Sequence, residues 1–229
     1  MTGADVGGTE HTVDIPATGT ILPDGLLQVE QDRYADHVAW KDGGMGRITA
    51  AMDLRLGRRV AIKEPRVHSE ELRARFEREA RLTARLQHPS IVRVQDAGRW
   101  PSGRPFYVME LVQGRQLDQV LRTMPTFEER LALLPHVLAV ADAMAYAHGQ
   151  RIIHRDLKPQ NVVIGEFGET VVVDWGLAKD LSSDEVAGND EQPTTEPSET
   201  GSTSLTHYGE VLGTPAYMSP EQAEGRSAD

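Results

Sequence analysis

Asp156, Lys158 and Asn161 fall within one eight-residue string, His154-Arg155-Asp156-Leu157-Lys158-Pro159-Gln160-Asn161, and Asp174 follows thirteen residues after Asn161, at the end of an apolar run. Asp156 is a carboxylate able to take a hydroxyl proton, and Lys158 is a cation suited to a transferring phosphoryl group. Asn161 and Asp174 offer two side-chain oxygens to a hard cation such as Mg²⁺, which takes few protein ligands and keeps room for phosphates. A lone His-Arg-Asp triplet arises by chance. The extended string and its distance from Asp174-Trp175-Gly176 are what carry the signal.

These groups need elements to hold them. Thr126 and Glu129 form a capping-box pattern that opens a long helix ending at Gly149, just ahead of the string. Pro135 lies inside that span; an interior proline costs about 3 kcal/mol, so it predicts a kink or a late start. Strands are expected at Val162–Ile164 and Thr170–Val173, around Gly165-Glu166-Phe167-Gly168. Upstream, three antiparallel strands are expected at His37–Trp40, Arg47–Met52 and Val60–Ile62, turning at Gly43-Gly44-Met45-Gly46 and near Leu56-Gly57. Two more are expected at Ile91–Val94 and Phe106–Leu111, with a short helix around Leu117–Arg122.

Between these strands Ser69 can cap a helix that begins at Glu70-Glu71 and stops before His88-Pro89. At about 100° per residue from Leu72, Phe76 lies near 40°, Thr83 near 20° and Leu86 near −40°. Glu79 falls at about −20°, inside that stripe, whereas Glu77 falls at about 140°, on the outer face. An acid centred on an inward stripe needs a cationic partner, because an unpaired buried charge is expensive. Lys63, ending Val60-Ala61-Ile62-Lys63, is the candidate; alone it reads equally as a solvated strand end.

Composition narrows the rest. With 229 residues, 39% hydrophobic and 26% charged, the chain can bury a substantial core. The longest apolar region, Leu131 to His148, is broken by Pro135, His136 and Asp142, so no membrane segment is expected. There is no secretory-signal pattern and no cysteine. Of the net charge of −11, seven acids lie between Ser182 and Glu210, where no Lys or Arg occurs; without them the balance is about −4. No basic surface is indicated, so nucleic-acid binding is not expected. Residues 1–30, rich in Thr, Gly, Asp and Pro, read as a disordered leader, and 182–205 as a mobile acidic Ser/Thr-rich loop.

The string from His154 to Asn161, followed at this spacing by Asp174-Trp175-Gly176, resembles the catalytic loop and metal-binding turn of protein kinases. The likeness extends to Gly43-Gly44-Met45-Gly46, to Lys63, and to Gly213-Thr214-Pro215-Ala216-Tyr217-Met218-Ser219-Pro220-Glu221, and it looks most like bacterial serine/threonine kinases. Three departures stand out: Lys41 replaces the first glycine of the phosphate loop, Trp175 replaces the usual Phe, and Met-Ser-Pro-Glu replaces the Ala-Pro-Glu anchor.

The resemblance implies an α+β, bilobal fold. Residues 31–111 would form an N-lobe of five antiparallel strands plus one helix, and 112–229 an incomplete, mainly helical C-lobe. It implies ATP and Mg²⁺ as cofactors and γ-phosphoryl transfer to a protein serine or threonine hydroxyl. Asp156, Lys158, Lys63 and Glu79 would be the catalytic set, with Asn161 and Asp174 holding the metal. Gly43, Gly44, Gly46, Ile48, Ala61, Lys63, Met109, Glu110, Val112 and Val163 would bind nucleotide, the Glu110–Val112 backbone bonding the base. Lys158, two residues past Asp156, fits the serine/threonine class. Arg155 matches an arginine that receives an activation-segment phosphate; Thr206 is the preferred acceptor, with Ser202, Thr203 and Ser204 as alternatives, by self-phosphorylation. The ATP requirement implies a cytoplasmic setting. The match runs from about Tyr34 to Ala228, and the further helices that complete such lobes in the family are absent from this sequence. The chain therefore reads as a fragment or a truncated product, with apolar surface on its long helix left uncovered. The alternative reading is an inactive, nucleotide-binding or regulatory remnant.

Overall fold

In the computed structural model, which describes residues 26–43, 46–66, 69–182, 213–224 and 226, six strands build one sheet. They are β1 (Leu27–Gln28), β2 (Tyr34–Gly43), β3 (Gly46–Asp53), β4 (Arg58–Glu64), β5 (Val94–Arg99) and β6 (Pro105–Glu110), in the order β1-β5-β6-β4-β3-β2. Every pairing is antiparallel except that of β1 with β5. Successive strand side chains point to opposite faces. In β4, Val60 and Ile62 therefore join a cluster with Tyr34, Ala51, Trp100, Phe106 and Val108, while Lys63 reaches the other side, toward helix α1 (Glu70–Arg85).

Helix α1 starts as its sequence dictates, with the Ser69 hydroxyl accepting the Leu72 N–H at 3.3 Å. Phe76 and Ala80 pack on Tyr107 of β6, and Leu82 and Leu86 reach a second core with Ile91, Ala143, Ile152, Val172 and Trp175. That second core ties α1 to α4 (Leu134–Gly149), β8 (Ile152–Ile153) and β10 (Thr170–Val172). The remaining elements are β7 (Gly114–Gln116), α2 (Leu117–Arg122), α3 (Phe127–Leu131), β9 (Val162–Gly165), β11 (Lys179–Asp180) and α5 (Pro220–Ala223). Strands β7, β9 and β10 form a three-stranded sheet, and β8 pairs with β11.

Several expectations need correction. The expected strand at Ile91–Val94 is displaced to Val94–Arg99; Ile91 and Val92 are buried instead, and Ile91 bridges to Val172. An apolar run matched the strand pattern there, but it is core rather than ladder. The leader does not extend to residue 30: Leu27–Gln28 pairs with β5 and Val29 is buried. Gly98 permits this, because a Cβ there would lie 2.8 Å from the Leu27 carbonyl oxygen. On α1, Leu72 is 39% exposed rather than inward, since it lies in the first turn, ahead of the residues that meet the sheet. Glu77 is not a solvated outer acid either; it pairs with Arg99 of β5 at 2.6 Å. The long helix is two: the Thr126–Glu129 capping box opens α3, and Pro135 sits in the first turn of α4, marking a late start. Phe127, Leu134, Val137 and Leu138 on these helices are exposed.

Candidate active site

Strand register places Lys63 between Ile48 of β3 and Tyr107 of β6. From there its ammonium group pairs with Glu79 Oε1, and both residues are 5% exposed. The same Glu79 oxygen accepts the Tyr107 hydroxyl at 2.7 Å. Burial, then the charge and hydrogen bond of Glu79, push the Tyr107 hydroxyl well above its ordinary pKa, so it stays protonated as a donor. Glu79 thus meets two donors in a dry setting, which is how a buried carboxylate becomes tolerable. Sequence reasoning found the ion pair and missed Tyr107. Lys63 also lies 3.7 Å from Asp174 Oδ1, whose side chain is partly open to solvent.

Two left-handed residues shape the site, Arg155 at φ 62° in the loop after β8 and Asp174 at φ 65° after β10. Such backbone costs on the order of 1–3 kcal/mol for a non-glycine residue and persists where its surroundings fix it. Here the fixing group is His154. The Asp156 N–H donates to His154 Nδ1 at 3.3 Å, so Nε2 carries the proton and donates to the Val173 carbonyl at 3.4 Å. Burial lowers the His154 pKa against the opposing pull of the Val173 carbonyl, Asp174 and Asp156, which keeps this tautomer neutral. The ring packs on the buried Trp175, 4.6 Å between centroids, so the larger indole is accommodated. Gln116 of β7 clamps the loop further, donating to the Gln160 carbonyl at 2.8 Å.

Asp156, Lys158 and Thr214 close a triangle. Lys158 Nζ donates to Asp156 Oδ2 at 2.7 Å and to Thr214 Oγ1 at 2.6 Å, and Thr214 Oγ1 donates to Asp156 Oδ1 at 2.8 Å. Partial burial pushes Asp156 up, but the hydrogen bonds from Lys158 and Thr214, the Lys158 charge and the Asn161 amide outweigh it and hold the carboxyl below its ordinary value. An ionised carboxylate held this way can accept a proton from a hydroxyl that displaces Thr214. Asn161 is buried, and its Nδ2 donates to the Asp156 carbonyl at 2.9 Å and to Oδ2 at 3.3 Å. With the nitrogen committed, the oxygen is the ligand atom left. That oxygen and the Asp174 carboxylate form an all-oxygen donor set of the kind that fits Mg²⁺ held partly by phosphates.

A cleft of about 550 Å³, within the size range of ligand sites, opens on part of this set, while Asn161, Glu79 and Thr214 stand behind its lining. Lys63, Asp156, Lys158 and Asp174 line it. So do eight of the ten expected nucleotide residues, Lys63 among them: Gly46, Ile48 and Ala61 on one run of strands, Met109 and Glu110 at the end of β6, Val112 just after it, and Val163 on β9. Gly43 pairs with Gly46 where the β2–β3 hairpin closes, and Gly44 lies outside the described residues. A Cβ on Gly46 would lie 2.6 Å from the Glu64 carbonyl oxygen, so packing against β4 already requires glycine there. Within the Glu110–Val112 backbone, the Glu110 N–H is taken by the Arg93 carbonyl at 3.0 Å and is not available to a base. Trp40 and Tyr107 also line the cleft, unforeseen from sequence. Arg155 donates from Nε to the Leu177 carbonyl at 2.7 Å and, with Arg75 and Arg78, rims a separate depression of about 60 Å³. Thr206, Ser202, Thr203 and Ser204 lie outside the described residues.

Comparison with known proteins agrees with this geometry. The family model of the protein kinase domain matches residues 41–229. The chain is 34% identical over 222 residues to serine/threonine-protein kinase PknD of Protochlamydia amoebophila, covering 88% of this chain and 22% of that protein. It is 39% identical over 196 residues to serine/threonine-protein kinase pkn3 of Myxococcus xanthus, covering 82% and 33% respectively. It is 37% identical over 207 residues to a probable serine/threonine-protein kinase PknB of Corynebacterium glutamicum, covering 86% and 29%. The chain thus spans about a fifth to a third of the length of the curated relatives it matches. Because the family match takes in both the strand that carries Lys63 and the loop that carries Asp156, the chain belongs to the protein kinase family.

Proposed function

We propose that the chain transfers the γ-phosphoryl group of ATP to serine or threonine hydroxyls of proteins. The observation that carries this reading is the Asp156–Lys158–Thr214 triangle, in which a hydroxyl already sits against an ionised carboxylate and an ammonium group. A substrate hydroxyl takes the place of the Thr214 hydroxyl, is oriented by Asp156, and gives its proton to it as the oxygen bonds to the γ-phosphorus and ADP departs. Lys158 neutralises the moving charge, and Lys63, positioned by Glu79, holds the α- and β-phosphates. Asn161 and Asp174 are the residues that hold Mg²⁺, which supplies charge neutralisation on the phosphate oxygens. The names of the relatives support the serine/threonine class. Arg155 is placed in this reading to receive a phosphate from the acidic segment, by self-phosphorylation. Among the described residues no helix is long and apolar enough to cross a membrane; a cytoplasmic setting follows in this proposal from the need for ATP.

The test is transfer of radiolabelled γ-phosphate from Mg-ATP to a generic serine- and threonine-bearing protein, comparing the wild type with Asp156→Asn. Loss of a positioned base costs on the order of 10²–10⁴ in rate, with nucleotide binding retained. Nucleotide binding with no transfer above that of Asp156→Asn would replace this reading with that of a binding module.

A further inference from the structure

The Asp156–Lys158–Thr214 triangle ties the segment that begins at Gly213 to the loop after β8 through their side chains. A substrate hydroxyl that takes the place of the Thr214 hydroxyl breaks that tie just when loop and segment must stay in place. A second contact does not depend on it. Gln222 of α5 donates from Nε2 to the Arg155 carbonyl at 2.7 Å, across 67 residues. The acceptor is backbone, one residue before Asp156, so a substrate hydroxyl does not compete for it. Gly213 packs on the same bond: a Cβ there would lie 2.8 Å from Gln222 Nε2 and 3.1 Å from the Arg155 oxygen. Its φ of 126° also favours glycine. Arg155 is left-handed, and such backbone persists where its surroundings hold it. Between Gly213 and Gln222 the chain is short and closed on itself. Pro215–Tyr217 forms a 3₁₀ turn, the Tyr217 N–H donates to the Thr214 carbonyl at 2.9 Å, and the Ala223 N–H to the Ser219 carbonyl at 3.0 Å. A hold on Gln222 is thereby a hold on the backbone of Thr214.

Resting on the kinase reading, we propose that Gln222 is a positioning residue for phosphoryl transfer. Its amide keeps the Gly213–Thr214 backbone against the catalytic loop after the Thr214 hydroxyl has been displaced. The stretch of substrate that carries the reacting hydroxyl then meets a segment held beside Asp156 by a bond that the substrate itself does not disturb. Gln222 touches neither the nucleotide nor the reacting atoms, and its effect is on geometry. A misplacement of about 1 Å costs on the order of 10²-fold in rate. Nucleotide binding is left alone, because the lining of the cleft comes from other elements.

Gln222→Met and Gln222→Glu keep the length of glutamine and remove its N–H, and the second also sets a carboxylate against a carbonyl. Steady-state transfer from Mg-ATP to a serine- and threonine-bearing protein is measured on the whole chain, for the wild type and both variants. Mg-ADP calorimetry and deuterium uptake by the peptide spanning 213–223 are followed alongside. Gln222→Met is expected to lose about tenfold to a hundredfold in kcat, with the KM for Mg-ATP and the Kd for Mg-ADP unchanged. Gln222→Glu should lose at least as much, whereas a glutamine that only fills space would leave both variants near wild type. The 213–223 peptide should take up deuterium faster in both. Wild-type kcat in Gln222→Met, or unchanged uptake, overturns the positioning role and leaves the kinase reading intact. A loss of Mg-ADP affinity that matches the loss of kcat also overturns it, since the damage is then general. No transfer by the wild type overturns both.

Discussion

Tyr107→Phe removes one hydroxyl from the centre of the site and nothing else. The ring remains, still 5.1 Å between centroids from Phe76, so no cavity larger than an oxygen opens. What is lost is a hydrogen bond to a charged acceptor, worth about 1.5–3 kcal/mol where water cannot replace it. Water is excluded here: Tyr107 and Glu79 are both buried. The loss should stay below the roughly 3–5 kcal/mol of breaking a buried ion pair, since Lys63 still holds Glu79. At about 2–4 °C per kcal/mol for a chain of this size, the thermal midpoint should fall by about 3–12 °C. The assay is urea unfolding without nucleotide at neutral pH, on wild type, Tyr107→Phe, Glu79→Gln and the double variant. A neutral glutamine oxygen is a weaker acceptor, so the cycle should return a coupling of about 1 kcal/mol. A single-variant loss under about 0.5 kcal/mol, or full additivity, would refute the claim that Glu79 depends on two donors.

Thr214→Val keeps shape and strips the hydroxyl that donates to Asp156 and accepts from Lys158. Since that hydroxyl helps lower the Asp156 pKa in the free chain, the acidic limb of the pH profile of kcat/KM should move to higher pH and be restored by Thr214→Ser, while the plateau rate changes little because the substrate hydroxyl takes its place. His154 sets the sign of an acid effect on stability. Its folded pKa lies below the unfolded value of about 6.5, so the unfolded chain binds the proton first as pH falls. Stability should be full above about 6.5 and decline below it toward the folded pKa, and His154→Gln should flatten that part of the curve, read from urea midpoints across pH.

Residues that act through local spacing were legible in the sequence, and those that act through register were not. Glu79 emerged from helical periodicity alone because its neighbours on the face, Phe76 and Thr83, lie on the same helix. Its second donor, Tyr107, lies 28 residues away, and only the pairing of β4 with β6 brings it beside Lys63. Thr214 is 58 residues from Asp156 and closes the triangle across the segment between them. Trp40 depends on a single inserted residue in β2, and a one-residue change of register alters which face a side chain meets. Strand β1 is invisible for a related reason. Its residues lack alternation, and what seats them is the missing Cβ of Gly98 on a different strand. The charged atoms of the site could therefore be named from the sequence, while the groups that set their protonation and reach could not. Tyr107 decides how Glu79 tolerates burial, and the Thr214 hydroxyl joins Lys158, which the sequence did name, in deciding how acidic Asp156 is. Motif residues define which chemistry is available; long-range pairings tune it. A variant that spares every motif residue but shifts β6 against β4 should for that reason disable the site.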